Sequence, residues 1–332
     1  MFSVTNSRGF VPQSEQFEDR EMIGEDIKAY KIIHEGDFAY NPARINVGSI
    51  AKYDKSEPCM ISSLYVCFKA LSQINNEWLM QLLKTPKMNF YYNVNGEGGV
   101  RVYLFYPNFA RIRTSYPSLA EQQKIASFLS LLDQRIETQR KIIEDLKKLK
   151  DAIRTKLFTS LESHCNEYDE IRNMLHYEQP SAYLVNSTEY SEDYPTPVLT
   201  ANKAFILGYT DEEYGVYDKG DCIIFDDFTM DLKYVTFPFK VKSSAIKILT
   251  SRQNIDLYFI YEYLLYLGLV SEEHKRHYIS EIESMNIIHP QLKEQRQISQ
   301  ALRSLEMQVG NAIALQNLLV KQKQHFLSRM FI

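Results

Sequence analysis

The chain has 332 residues, 45% of them hydrophobic, and its 38 basic and 42 acidic side chains give a formal net charge of −4. This length allows two domains of ordinary size, and the charge excludes a uniformly basic nucleic-acid-binding chain while leaving room for a local basic patch. Four scattered cysteines without a CxxC pair disfavour a disulfide or zinc scaffold and fit a reducing cytoplasm, and neither a membrane-spanning apolar run nor a signal-peptide pattern is present.

Residues 1–116 are predicted to form a first globular domain. The stretches 30–41 and 62–70 are rich in β-forming residues and predict strands, whereas residues 75–85 have helical spacing. The glycine-rich stretch 95–101 predicts a hairpin turn, since a phosphate-binding loop would need a helix after it and the next residues have strand character.

Residues 117–160 are predicted to form one long helix. Its apolar residues are separated by alternating steps of four and three, or by whole heptads, which is typical of a coiled-coil seam: Ile125, Leu129, Leu132, Ile136, Ile143, Leu146, Ile153 and Leu157. At 1.5 Å per residue the helix would be roughly 57 Å long, which a single globular domain rarely needs. The pattern therefore indicates a spacer.

Residues 161–289 are predicted to form a second globular domain. Strands are expected within 196–210, 219–228 and 236–249, and the strongly apolar stretch 255–270 predicts a core helix.

The long helix is repeated at the end of the chain, within residues 290–332. Residues 290–331 align with residues 117–158 without a gap, with eleven of 42 positions identical. The second seam includes Leu302, Leu305, Val309 and Phe326. The repeat predicts a duplicated unit whose two helices pair as an antiparallel coiled coil in a pseudo-twofold arrangement.

The two globular regions also resemble each other. TNSRGFV at residues 5–11 is similar to TANKAFI at 200–206, and GDFAYN at 36–41 is similar to GDCIIF at 220–225. Only four residues precede the first of these motifs, whereas about 35 residues of the second region precede its copy, so the first domain is expected to lack its opening segment. The fold class is α+β, with two mixed α/β domains joined by two long helices.

This pattern resembles the specificity subunit of type I restriction–modification systems. The helix PSLAEQQKIASFLSLLDQRIE with its repeat PQLKEQRQI carries the resemblance, as do the segments YEQPSAYLV, TPVLTANKAFILGYT, IIFDDFT, FPFKVKSSAIKIL and HKRHYIS in the second domain. In the first domain, RGFVPQSEQF and GDFAYNPARINVGSI are similar to another class of target-recognition domain.

The resemblance implies a non-catalytic subunit. Each target-recognition domain would read one half of a bipartite site in double-stranded DNA, and the helices would set the spacer and bind two methyltransferase (modification) subunits, to which restriction subunits join. The cofactor, S-adenosylmethionine, would belong to the methyltransferase and not to this chain. The paired motifs Glu121-Gln122 and Glu294-Gln295 are expected either to contact those subunits or to be stabilised by the helix dipole.

Polar and basic residues in loops beside the matched segments are the predicted DNA contacts, because arginine and lysine hydrogen-bond guanine or phosphate and asparagine hydrogen-bonds adenine. They are Asn6, Arg8, Arg44 and Asn46 in the first domain, and Asn202, Lys203, Thr229, Lys240, Lys242, Lys275, Arg276 and His277 in the second. Lys240 and Lys242 are expected to share one face of a strand.

No catalytic or metal-binding constellation is predicted. Residues 41–44 resemble the Asn/Asp-Pro-Pro-aromatic loop of amino-methyltransferases only superficially, and no glycine fingerprint for S-adenosylmethionine is present. A nuclease site built from Asp226, Asp227, Asp231 and Lys233 is disfavoured because these residues fall in one short loop of a segment that matches a recognition domain. The alternative function is a coiled-coil interaction protein that binds modification subunits without specific DNA recognition.

Overall fold

A computed structural model of the chain describes residues 1–6, 8–15, 29–98, 102–200, 205–271 and 276–331. The chain divides into two compact units, here called unit 1 (residues 1–141 and 313–332) and unit 2 (residues 142–312). Two long helices contribute to both units: α4 (Leu119–His164) and α7 (Leu292–Met330).

The globular part of unit 1 contains two small sheets and three helices. Its elements are β1 (Phe2–Thr5), β2 (Gly9–Pro12), β3 (Lys31–Ile33), β4 (Phe38–Tyr40), β5 (Ile50–Lys52), β6 (Cys59–Ile61), β7 (Val66–Phe68), α1 (Asn76–Leu83), α2 (Pro86–Asn95) and α3 (Tyr106–Phe109). The sheet orders are β2-β1-β6-β3 and β5-β4-β7.

The globular part of unit 2 has a related arrangement with additional elements at its start. Its elements are β8 (Tyr168–Glu170), α5 (Ile171–Met174), β9 (Leu175–Glu178), β10 (Thr196–Leu199), β11 (Ile206–Thr210), β12 (Cys222–Asp226), β13 (Leu232–Val235), β14 (Lys240–Val241), β15 (Ile246–Ser251), α6 (Leu257–Leu267) and β16 (Asn286–Ile288). The sheet orders are β11-β10-β14, β13-β12-β15-β9 and β16-β8.

Most elements predicted from the sequence are confirmed, with two differences in unit 1. The helix α2 was not predicted; it begins at Pro86, directly after α1, because Thr85 accepts a hydrogen bond from the Met88 amide and proline is well tolerated in the first turn. The strand expected after residue 100 is wrong, since Tyr103 forms only an isolated bridge with Glu97 and α3 begins at Tyr106.

The predicted seam of the long helices is confirmed, and it is longer than the apolar residues alone indicated. Leu129, Leu132, Leu302 and Val309 are buried, and Ile125, Ile136, Leu305 and Phe326 are partly buried. Gln139 and Lys150, only 8% and 7% exposed, fill the places where the apolar pattern jumped a whole heptad. Polar residues at seam positions favour one register and partner orientation at some cost in stability.

Within each unit the two helical segments run antiparallel. In unit 1 the Lys323 Nζ lies 2.5 Å from the Asp133 carboxylate, and in unit 2 the Lys150 Nζ lies 2.5 Å from the Glu306 carboxylate. The residue numbers add up to 456 in both pairs (133 + 323 and 150 + 306), so both units use one antiparallel register. Residues 133 and 150 correspond to residues 306 and 323 in the 173-residue offset of the repeat, so the pair is duplicated with the helix.

A third residue from the globular part joins each of these ion pairs. In unit 1, Gln81 of α1 donates its amide to Asp133 at 3.1 Å. In unit 2 the corresponding position of α6 is Glu262, which is 0% exposed and lies 2.8 Å from the Lys150 Nζ and 2.7 Å from the Arg154 Nε. Burial raises the pKa of Glu262, but the hydrogen bond and charge of Lys150 outweigh it and hold the pKa below its usual value. Unit 2 therefore has a buried ion cluster where unit 1 has a half-exposed one.

Gln122 and Gln295 attach the start of each long helix to its globular domain. Both side chains are 0% exposed. The Gln122 amide donates to the Pro117 carbonyl at 2.9 Å, and its oxygen accepts from the backbone amide of Asn75, the N-cap of α1, at 2.7 Å. Gln295 makes the equivalent bonds to the Pro290 carbonyl at 2.8 Å and to the amide of the N-cap of α6 at 2.9 Å.

The expectation that these glutamines contact a partner subunit is therefore wrong for the described structure, because both are buried and bonded inside their own domain. Glu121 instead accepts hydrogen bonds from the Ser118 amide and hydroxyl, and these bonds hold its pKa below the usual value. This is the reciprocal capping box of a helix N-terminus.

Candidate nucleic-acid interface

The loops that carry the predicted contacts in unit 2 lie side by side along one rim. The Lys242 amide donates to the Leu199 carbonyl beside the β10–β11 hairpin at 2.9 Å, and the Asp227 amide donates to the Ala245 carbonyl at 3.0 Å. The His277 amide in turn donates to the Asp227 carbonyl at 3.1 Å. We call this series of loops (199–205, 242–245, 226–231 and 276–278) the unit 2 rim. Backbone bonds between the loops fix their order.

Thr229 is presented at the tip of a rigid turn of this rim. The Asp226 carboxylate accepts the amides of Phe228 and Thr229 at 2.8 and 3.2 Å, and Met230 has a left-handed φ of 60°. Thr229 is exposed, and its hydroxyl donates to Asp231 at 3.1 Å. Holding a short polar side chain outward on a fixed backbone suits a loop that contacts a base edge.

Asp227 has a structural role that joins two loops of the rim. Its Oδ1 accepts the backbone amides of His277 and Tyr278 at 3.1 and 2.8 Å, and its Oδ2 lies 3.2 Å from the Nζ of buried Lys247. Since Asp226 and Asp227 are both at most 4% exposed and are occupied by these bonds, they are not arranged as the nuclease site that the sequence had left as a weak alternative.

Burial removes two residues from the predicted set of contacts. Lys240 is 2% exposed, with its Nζ 2.6 Å from the Tyr214 carbonyl and 2.9 Å from Glu212. Amide hydrogen bonds from Ser187, together with Lys240, hold the pKa of Glu212 below its usual value. The expectation of a face shared with Lys242 overlooked this carboxylate, which is distant in sequence.

His277 is likewise buried, at 2% exposed. Its Nδ1 lies 3.0 Å from Glu281 and its Nε2 lies 2.9 Å from the Ser271 hydroxyl. It begins the π-helical turn Tyr278–Ile282, and its neighbour Arg276 is exposed on the rim. Lys242 is also exposed, 5.8 Å from the ring centre of Tyr190. Asn202, Lys203 and Lys275 lie outside the described residues.

Unit 1 brings three of its four predicted residues together. The Ser49 hydroxyl donates to the Val4 carbonyl at 2.7 Å, which places the β4–β5 loop beside the β1–β2 hairpin. Asn6 is exposed at the tip of that hairpin, and a Cβ at Gly48 would lie 3.4 Å from the Asn6 Cβ. Arg44 is exposed in the same loop, and the partly buried Asn46 donates to Asn93 at 3.1 Å.

Arg8 lies instead at a groove that the sequence did not reveal. The groove has a volume of about 380 Å³, and its charged lining residues are Arg8, Lys52, Asp54, Lys55, Glu77 and Lys84. Lys52 pairs with both acids of the groove. Four cations against two carboxylates leave a local positive excess of the kind that binds phosphate. Lys52 and Lys84 come from separate elements, so only the fold brings them together.

A fold with two similar domains, each carrying a loop rim and each joined to a long paired helix, defines a two-headed binding protein. The chain matches the family described as the type I restriction modification DNA specificity domain over residues 23–148 and 171–317, and it belongs to that family. The resemblance seen in the sequence is thereby confirmed.

Individual relatives agree with this assignment. The chain is 47% identical over 117 residues to the Escherichia coli EcoR124I/EcoR124II specificity subunit, a match that covers 33% of this chain and spans only 29% of that relative. It is 23% identical over 327 residues to the MjaX specificity subunit of Methanocaldococcus jannaschii, covering 85% of this chain and 74% of the relative. The crystal structure of a type I S subunit from M. genitalium has the same fold, with a TM-score of 0.62, 15% identity, and coverage of 90% of this chain and 84% of that one.

Proposed function

We propose that this chain is the DNA-specificity subunit of a type I restriction–modification complex. Each unit reads one half of a bipartite target in double-stranded DNA with its loop rim, and the paired helices set the distance between the half-sites. Two methyltransferase subunits, which carry the S-adenosylmethionine, dock on the chain, and restriction subunits join the full complex. The chain itself carries no catalysis.

The observation that carries the proposal is the duplication of a complete unit. Both units place a β-hairpin tip beside the loop of a central strand, at Asn6 and Arg44 in unit 1 and at Leu199 and Thr229 in unit 2, and both repeat the same helix register. A duplicated reader joined to a duplicated spacer suits a two-part DNA site. At 1.5 Å per residue, the 46 residues of α4 extend for about 69 Å, against about 34 Å for one turn of DNA.

The decisive experiment is co-purification of this chain with its modification subunit, followed by sequencing of methylated adenines on genomic DNA. The proposal predicts a two-part motif with a fixed gap. A motif defined in only one half would mean that only one unit reads DNA. A stable complex that methylates no specific site would refute sequence recognition and support the interaction-protein alternative.

A length change in the helices tests the spacer role separately. Deleting residues 137–143 and 313–319 together preserves the register sum and removes one heptad from each helix. The pair shortens by about 10 Å, equivalent to about 3 base pairs of gap. The half-site sequences should remain the same while the gap changes. An unchanged gap would show that the helices do not measure it.

A further inference from the structure

Elements of the two units correspond closely, with one exception. The hairpins β1–β2 and β10–β11 each pair in parallel with a further strand, β6 or β14, and the central strands β4 and β12 each lie between two antiparallel neighbours. α1 and α6 start at the equivalent glutamine contacts. Among the described residues of unit 1, none takes the place of β8, α5 and β9.

These three elements complete the core of unit 2. β9 pairs with β15 at one sheet edge, and β8 pairs with β16 just before α7. Ile171, Met174 and Leu175 are at most 1% exposed, and they belong to one core with Phe158, Phe259, Ile287 and Ile298.

Unit 1 has a cavity of about 500 Å³ at the corresponding place. Its lining residues include Trp78, Thr114, Ile125 and Phe331. These are the counterparts of Phe259, Ile287, Ile298 and Phe158: the last three by the 173-residue offset of the repeat, and Trp78 as the third residue of its domain helix. The side chains that surround the buried Ile171 cluster in unit 2 thus surround open space in unit 1.

Two further features of unit 1 point to a missing occupant. The indole N–H of Trp78, a residue only 2% exposed, has no acceptor among the described residues. Residues 113–115 correspond to β16 but are exposed and unpaired in the described structure, and β7, the counterpart of β15, is the edge strand of its sheet. Tyr116 at the mouth of the cavity is 52% exposed.

We propose that this cavity is a docking site for a strand–turn–strand segment supplied by another polypeptide. The segment has the chemistry of residues 161–178: an acidic strand that pairs with residues 113–115, followed by a short apolar turn that fills the cavity. A second strand then extends the sheet at β7. Strand addition at a sheet edge supplies affinity through the backbone, and the pocket supplies specificity. This inference does not depend on the sequence of any DNA target.

The test uses a fluorescein-labelled peptide of residues 161–178, with Cys165 replaced by serine, added to the full chain. Anisotropy should rise to a single saturable plateau, and the fluorescence of Trp78, the only tryptophan, should shift at the same peptide concentrations because it lines the cavity. A peptide carrying Ile171→Asp should bind at least about tenfold more weakly, since it would bury an unpaired carboxylate.

The control on the protein side follows from the register of unit 2. The bonds from the His289 amide to the Glu167 carbonyl and from the Ile171 amide to the Met285 carbonyl show that odd-numbered residues of this β16 stretch face β8. Their counterparts are even-numbered, so Thr114→Pro removes a donor to the docked strand and should abolish saturation. Ser115→Pro removes an amide that points away and should preserve it.

Absence of saturable binding to the unaltered chain would overturn the proposal. Equal binding to the unaltered chain and to Thr114→Pro would also overturn it, because the peptide would then be exchanging with the chain's own segment in unit 2. Unchanged Trp78 fluorescence of the free Thr114→Pro variant shows that loss of binding is not loss of folding.

Discussion

The buried carboxylate of Glu262 offers a sharp test of how each unit is held together. Glu262 is 0% exposed and lies within 2.8 Å of the Lys150 Nζ and 2.7 Å of the Arg154 Nε. Replacing it with alanine leaves Lys150, whose side chain is 9% exposed, without its buried partner. Removing one member of a buried ion pair typically costs about 3–5 kcal/mol of the free energy of unfolding, because the remaining charge is uncompensated.

The internal duplication supplies the matched control. Gln81 occupies the corresponding place in unit 1, where its amide donates to Asp133 while Lys323, with 20% of its side chain exposed, retains access to water. Gln81→Ala therefore removes a single neutral donor, for which we expect a loss of about 1 kcal/mol. The two variants differ in burial and charge but share their position in the repeat.

Urea unfolding distinguishes the two units because the only tryptophan, Trp78, lies in unit 1. Its fluorescence reports unit 1, and hydrogen exchange of α6 amides reports unit 2. We expect Glu262→Ala to lower the protection of α6 strongly and Gln81→Ala to shift the Trp78 transition slightly. A loss below about 1 kcal/mol for Glu262→Ala would refute the reasoning, since it would mean that Lys150 reaches water without cost.

Three further outcomes follow from the structure. The folded-state pKa of Glu262 is lowered from 4.5, so its stabilisation is complete above about pH 4.5 and is lost as the pH falls through the folded value; the stability difference between the unaltered chain and Glu262→Gln should shrink below pH 4.5 in urea titrations. Gln122→Ala leaves buried groups at two backbone positions without partners and should cost about 2–4 kcal/mol, measured by Trp78 fluorescence, whereas a neutral effect would show that water replaces the side chain. Arg44→Ala should weaken binding of the assembled complex to DNA and reduce the slope of log K against log salt by about 1 if the arginine contacts a phosphate; Arg140→Ala, which removes an arginine paired with a helix glutamate, should leave that slope unchanged.

Periodicity and repetition were enough to predict the long helices, their antiparallel pairing and the duplicated domains. The seam positions repeat every 3.5 residues on average, a signal that no globular context is needed to interpret. What the apolar pattern could not include were Gln139 and Lys150, because a polar residue at a seam position is recognisable only when its partner across the interface is known.

The candidate contacts were predicted less completely, for a related reason. Thr229, Lys242 and Arg276 are exposed on the unit 2 rim, where contact with DNA stays a prediction. Lys240 and His277 looked equivalent to them in the sequence, but each meets a carboxylate, Glu212 or Glu281, that local patterns do not associate with it. Charge and loop position identify candidates, whereas tertiary pairing decides which of them reach the surface.

The duplicated ion pairs have a consequence for how such chains assemble. Each long helix carries both members of the pairing code, an acid and a lysine 17 residues apart: Asp133 and Lys150 on α4, Glu306 and Lys323 on α7. Two copies of α4 set antiparallel would therefore match acid to lysine at both ends, as α4 and α7 do within one chain. Each helix is thus self-complementary, and a half-length chain with one domain and one such helix would have the polar contacts needed to close into a symmetric homodimer with two reading heads.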